Sequence, residues 1–288
     1  MGKSILVITI LFVVTFFISS QCNAYHIARR DSMNLTVKVD ITFNSETKEY
    51  IYTYTIINNK DSSLDLEEIT FEYEGELSSV SMPANSHGLA LTAKMPMERY
   101  GLTEFFSPLS PNGKNNITWA TFSDDRLKPN STRSGHIMSA KGIPGIVTFY
   151  ARGFALDSNF ESNDPEEPAD NPELMNIFAN SLQGKTLGPV LSPILPPAVL
   201  DPVLFTDVIV GYTNEALQLG WISDITVANG INDKLNSAKG NVDVDNKKAL
   251  EILQSLLADL ETQHGKSMND DAYLLIKINV THLKDNIK

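Results

Sequence analysis

Cysteine is almost absent from this chain: Cys22 is the only one in 288 residues. A disulfide framework and a thiolate zinc site are therefore excluded. Histidine is also scarce. His26, His87, His136, His264 and His282 are never at i, i+4 spacing and never in an HExxH, so a local zinc scaffold is missing. Positive charge is in deficit, with 23 Lys and Arg against 35 Asp and Glu and a net charge of -12. Such a surface repels phosphate backbones and anionic lipid, which argues against nucleic-acid partners and membrane docking.

The one long apolar run is N-terminal. Lys3 precedes apolar residues 5–18, then come Ser19, Ser20 and the small-residue segment Cys22-Asn23-Ala24. This is the pattern of a secretory signal peptide over residues 1–24, and the run is too short for a comfortable bilayer span. Cleavage after Ala24 would remove the cysteine. Lipid attachment at Cys22 is the second reading, weakened by the bulky Gln21 before it. A secreted chain of this size without disulfides suggests a bacterial protein, periplasmic or extracellular, with no membrane attachment after cleavage.

From Asn34 onward, Leu35, Val37, Val39 and Ile41 alternate with polar residues, as in a half-buried strand. Residues 50–57 are rich in Tyr, Thr and Ile, a second strand ending at Asn58. Ile69, Phe71 and Tyr73 alternate again, and further strands are expected at 80–82, 117–122, 136–139 and 146–151. Residues 89–109 read as an excursion between strands. Residues 156–204 are rich in acid and Pro and read as a linker: an acidic loop, a short helix over 172–181, then an apolar strap. From 205 the period becomes helical. Ala249, Leu250, Leu253, Leu256, Leu257 and Leu260 form a wide stripe, with Asp245 placed to cap the helix and Gly265 to end it. Ser267 and Asp270 have the spacing of a capping box. The expected architecture is two domains, an all-β immunoglobulin-like sandwich over 34–155 followed by a small all-α bundle of three or four helices over 205–288.

The helical third carries Leu219-Gly220-Trp221-Ile222, Gly230-Ile231-Asn232, Lys234-Leu235-Asn236-Ser237-Ala238, Ala249 with Leu253, Gly265-Lys266, and Ala272-Tyr273-Leu274-Leu275 with Asn279 and Leu283. In this order and spacing it resembles the FIMAH-like helical module found at the C-termini of secreted bacterial proteins. It departs from that pattern at Ser223-Asp224-Ile225-Thr226-Val227. The resemblance implies an appended extracellular module for binding or assembly, without catalytic residues.

Few residues suggest chemistry. Ser45 and Lys48 match Ser-x-x-Lys, but in a turn rather than on a helix where Lys could reach Ser. Asp124-Asp125 and Glu67-Glu68 are adjacent, so their side chains should diverge on strands. Asp157, Glu161, Asp164 and Asp170 are hard oxygen donors for calcium, although Ser162 stands where an EF-hand loop needs Gly. Calcium is the only cofactor suggested. Tyr50, Tyr52 and Tyr54 share one strand face, either as a platform for stacking on a ligand such as a sugar ring or as core. Four Asn-x-Ser/Thr sequons, at Asn34, Asn116, Asn130 and Asn279, mean little in a bacterial chain. The expectation is a secreted non-catalytic protein that binds a protein or glycan at the cell surface. The alternatives are a hydrolase whose site forms no motif, and a self-associating surface-structure component.

Overall fold

The computed structural model describes residues 33–84, 86, 88–92, 113–121, 125–154, 181–190 and 200–287. Among the described residues, nine strands form two antiparallel sheets. The first holds β1 (Leu35–Asn44), β2 (Glu49–Asn58), β7 (Ser131–Ala140) and β4 (Leu77–Ser81), in that order. The second runs β5 (Gly88–Thr92), β6 (Asn115–Thr121), β3 (Asp65–Tyr73), β8 (Ile143–Phe154) and β9 (Leu182–Val190). The orders β1-β2-β7-β4 and β3-β8-β9 are those of strands A-B-E-D and C-F-G in immunoglobulin-type sandwiches, with β6 and β5 widening the second sheet. β5 lies where the sequence suggests only an excursion.

The alternation of β2 builds the inner layer. Tyr50, Tyr52, Tyr54 and Ile56 are buried while the residues between them are half-exposed. The Tyr54 ring lies 4.5 Å from Phe71, which meets Trp119 edge-on at 5.3 Å. A buried phenol must keep a hydrogen bond. The Tyr52 hydroxyl donates to the Gly142 carbonyl and the Tyr54 hydroxyl to the Leu187 carbonyl, each at 2.9 Å. Asn58 ends the strand, and its amide donates to the carbonyls of Leu64 and Leu127 at 2.9 and 2.8 Å. This ties the end of β2 to the loop that follows it and to Leu127, which bridges Leu66 of β3.

The linker expected over 156–204 is corrected by β9, which pairs with β8 from Ile143–Val190 to Ala151–Leu182. Its Gly and Pro content hides the pattern. Pro189 is tolerated because β9 is an edge strand. Gly184 is required because a Cβ there would stand 2.3 Å from the Phe149 ring. The short helix expected over 172–181 lies almost wholly outside the described residues.

Four helices follow: α1 (Pro202–Gln218), α2 (Ile225–Lys239), α3 (Asn246–Gln263) and α4 (Asp270–Asn286). The first starts earlier than its apolar pattern suggests. Asp201 accepts from the Val203 and Leu204 amides, and Pro202 occupies the first turn, where its missing N–H costs nothing. Asp245 caps α3 as expected, accepting from the Lys248 amide. The capping box expected at Ser267 is replaced by Asn269, which accepts from the Ala272 amide. The turn after α1 is clipped to the α3–α4 turn. Ser223 N–H donates to the Ser267 carbonyl and Asn269 N–H to the Trp221 carbonyl. These two backbone hydrogen bonds thus join both helical hairpins.

The bundle sits on the sandwich. α4 touches β8, β1 and β9, and the buried apolar residues of both halves form one connected cluster. Buried Asn279 of α4 donates to the Pro144 carbonyl at 2.9 Å and to the Leu275 carbonyl at 2.7 Å. The helix thereby lies beside both β1 and β9, edge strands of the two sheets, and edge strands need cover against stray pairing. Gly145 makes room for the approach of α1, since a Cβ there would stand 2.6 Å from the Tyr212 hydroxyl.

Candidate functional site

Those residues singled out from sequence that the structure describes are not brought together. Tyr50, Tyr52 and Tyr54 are 8, 0 and 0% exposed, so the row is core and offers no platform to a ligand. Burial pushes the Tyr52 and Tyr54 phenols well above their usual range. Ser45 and Lys48 lie in the β1–β2 hairpin turn. Asp157, Glu161, Asp164 and Asp170 lie outside the described residues. Among the described residues, no three His, Cys, Asp or Glu side chains are grouped to hold a metal ion.

Three ion pairs of the sandwich each put one member on the wall of a void beside Trp119. Glu67 pairs with Arg126 at 3.1 Å, Glu68 with Arg152 at 2.6 Å and Asp125 with Arg133 at 3.1 Å. Glu67 and Glu68 take different arginine partners. A bulge in β3 between Leu66 and Glu68 lets both border one void, together with Arg133, His136, Trp119 and Thr121. His136 meets Trp119 edge-on at 5.3 Å. Burial, helped by the Arg133 charge, pushes the His136 imidazole down to about 4, so it is neutral at pH 7. Burial raises the Glu68 carboxyl; the Arg152 guanidinium pulls it back down and the Glu67 charge adds to the rise. A neutral imidazole beside a raised carboxyl is raw material for acid–base chemistry. The void, however, measures only about 10 Å³, room for about one water and no substrate.

Space for a ligand lies in the bundle. An open cleft of about 390 Å³ separates the first half of α2 from the last half of α3, a size within the usual range for ligand sites. Val227, Ile231 and Leu260 give it an apolar floor, and Thr226, Thr262 and Gln263 supply donors and acceptors. Asp259 lines it too, with its carboxylate held by Lys234. Gly230 borders open space, since a Cβ there would meet nothing within 4 Å. At the same end, Ile225 is 60% exposed. Sequence reasoning missed this cleft, although it carried a signal. Glycine inside a helix costs about 1 kcal/mol relative to alanine, so Gly230 in mid-α2 calls for a reason.

Neither a family model nor a curated protein sequence matches the chain. Solved structures give remote likenesses. An uncharacterized protein from Nocardia farcinica, described as having an immunoglobulin-like fold, aligns over 54% of this chain and 98% of its own at 10% identity and a TM-score of 0.28. A GH20 exo β-N-acetylglucosaminidase from Vibrio harveyi, in complex with N-acetylglucosamine, aligns over 59% of this chain at 12% identity and a TM-score of 0.26. The match covers 21% of that enzyme's length.

Proposed function

We propose that this is a secreted, non-catalytic binding protein of the cell envelope or extracellular space, and that its ligand, a protein segment or glycan, enters the cleft between α2 and α3. The observation that carries this reading is the pairing of an apolar floor with hydroxyl and amide groups in one open cleft, a composition suited to holding a ligand. The strongly shifted His136 lies elsewhere, in a void too small for a substrate. The apolar N-terminal leader supports export, and the resemblance of the helical third to a FIMAH-like module supports a binding or assembly role. The sandwich then acts as the rigid base on which the bundle is mounted.

The test is a glycan-array and peptide-library screen of the chain from residue 25 onward, beside a Gly230→Phe variant that fills the cleft. A ligand bound by the parent and weakened at least tenfold by the substitution, at unchanged melting temperature, is expected. Binding that ignores Gly230→Phe, or silence across both libraries, overturns the proposal.

A further inference from the structure

The void beneath the three ion pairs has a composition that specifies an occupant. Its walls come from both sheets: Ile56, Arg133 and His136 from the first, and Leu66, Glu67, Glu68, Ile69, Trp119 and Thr121 from the second. Two nitrogens of its lining residues, Trp119 Nε1 and His136 Nδ1, are buried and have no partner among the described residues. The indole N–H can only donate. Leaving such a donor unmet inside a protein costs about 1–3 kcal/mol. The void holds about 10 Å³, close to the single probe sphere that one water requires, and a buried water needs two to four polar partners. The indole, the imidazole and the Thr121 hydroxyl, which donates to the Glu67 carbonyl and can still accept, supply that number.

We propose that this void is a one-molecule water site that joins the two sheets, the water accepting from Trp119 Nε1 and hydrogen-bonding His136 Nδ1. It gives the neutral imidazole a partner and links β6 of one sheet to β7 of the other. A larger guest is excluded by volume. An apolar guest is excluded by the surrounding charges, Glu67, Glu68 and Arg133.

The experiment reads water contacts at the two indole protons by heteronuclear NMR on the whole mature chain. Trp119 and Trp221 give the only indole resonances, and a Trp221→Phe variant, which leaves the void intact, assigns them. The Trp119 indole proton should exchange slowly with solvent yet show a dipolar cross-peak to a long-lived water. A crystal structure should place a water within about 3.2 Å of both nitrogens. A Trp119 indole proton without such a cross-peak, together with an empty void in the electron density, overturns the proposal. So does a rotated His136 that bonds protein groups alone.

Discussion

The two halves of the molecule handle polarity in opposite ways. The sandwich carries it inside: Asn58, Thr70, Glu72, Asn116, Thr118, His136, Thr148 and Thr186 are all buried. Thr70 and Thr118 share a hydrogen bond of 2.8 Å, and Tyr150 donates to Glu72 at 3.0 Å. Among the described residues of the bundle only Thr206, Thr213 and Asn279 are buried polar groups. The two threonines simply return their hydroxyls to the carbonyl one turn back, on Pro202 and Ile209. The difference follows from the elements. A helix satisfies its backbone internally and can present one wholly apolar stripe. Where both faces of a strand are covered, as along β3 and β6, its outward polar residues are enclosed and need partners. The bundle's one buried amide, Asn279, is spent on the sandwich, so the halves differ in chemistry but share a core.

The sharpest way to break this picture is Leu253→Ala. Leu253 is fully buried in α3, so the truncation should cost about 2–5 kcal/mol. Trp119 reports on the sandwich and Trp221 on the bundle, and urea unfolding followed in Trp119→Phe and Trp221→Phe backgrounds reads each half separately. One shared transition, shifted in both backgrounds, is expected. A bundle that melts alone while the sandwich midpoint stays put would show that the common core does not couple them.

Acid sharpens the comparison next. The His136 imidazole is held at about 4 in the fold, against about 6.5 when unfolded. The unfolded chain then binds the extra proton, so the stabilisation is present above pH 6.5 and is lost as pH falls towards 4. Two and a half pKa units correspond to about 3 kcal/mol. Asp271, at the start of α4, runs the other way. Burial and the neighbouring Asp270 charge raise it to about 6 while Lys38 of β1 lowers it. Its folded form takes up the proton more readily, so its contribution favours the fold at low pH and fades as pH rises through 6. Urea midpoints between pH 4 and 7 should fall less steeply with acid in His136→Gln and more steeply in Asp271→Asn. Identical slopes in all three proteins would refute both assignments.

How much of this was legible in sequence depended on which interactions were local. β1, β2 and the leucine stripe of α3 could be read because their periodicity is set by one buried face, and Asp245 and Gly265 could be read because caps act within a turn. β9 could not, since Gly184 and Pro189 make sense only beside Phe149 and at a sheet edge. Tyr50, Tyr52 and Tyr54 were correctly placed on one face, but alternation alone does not say which face is wet. The cluster around Trp119 needs β3, β6 and β7 to meet across 70 residues of sequence, and the α2–α3 cleft needs two helices to diverge. Nothing local announces the first, and only the mid-helix Gly230 hints at the second.

Asn279→Ala addresses the junction itself. It removes the donor to Pro144 and leaves that carbonyl to find another partner, which should cost about 1–3 kcal/mol. Hydrogen exchange should then rise more in β8 than in α2, because β8 holds the acceptor whereas α2 packs within the bundle. Equal exchange in both elements would mean that the loss is felt globally and that Asn279 is not a local pin.

The smallest expected effect lies on the bundle surface, where polarity was left. Lys239, in the last turn of α2, grips both carboxylate oxygens of Asp207 on α1 at 2.6 and 2.7 Å, with the carboxylate side chain 53% exposed. Water competes at such a site and two long side chains lose freedom, so exposed pairs contribute about 0–1 kcal/mol. Lys239→Met should therefore lower stability by less than about 1 kcal/mol at low salt, and by still less at 1 M salt, where the screening length shrinks to about 3 Å. Urea midpoints at the two ionic strengths check this. A loss that is large and indifferent to salt would mean that the bundle, like the sandwich, depends on charges shielded from water, and the contrast between the two halves would no longer hold.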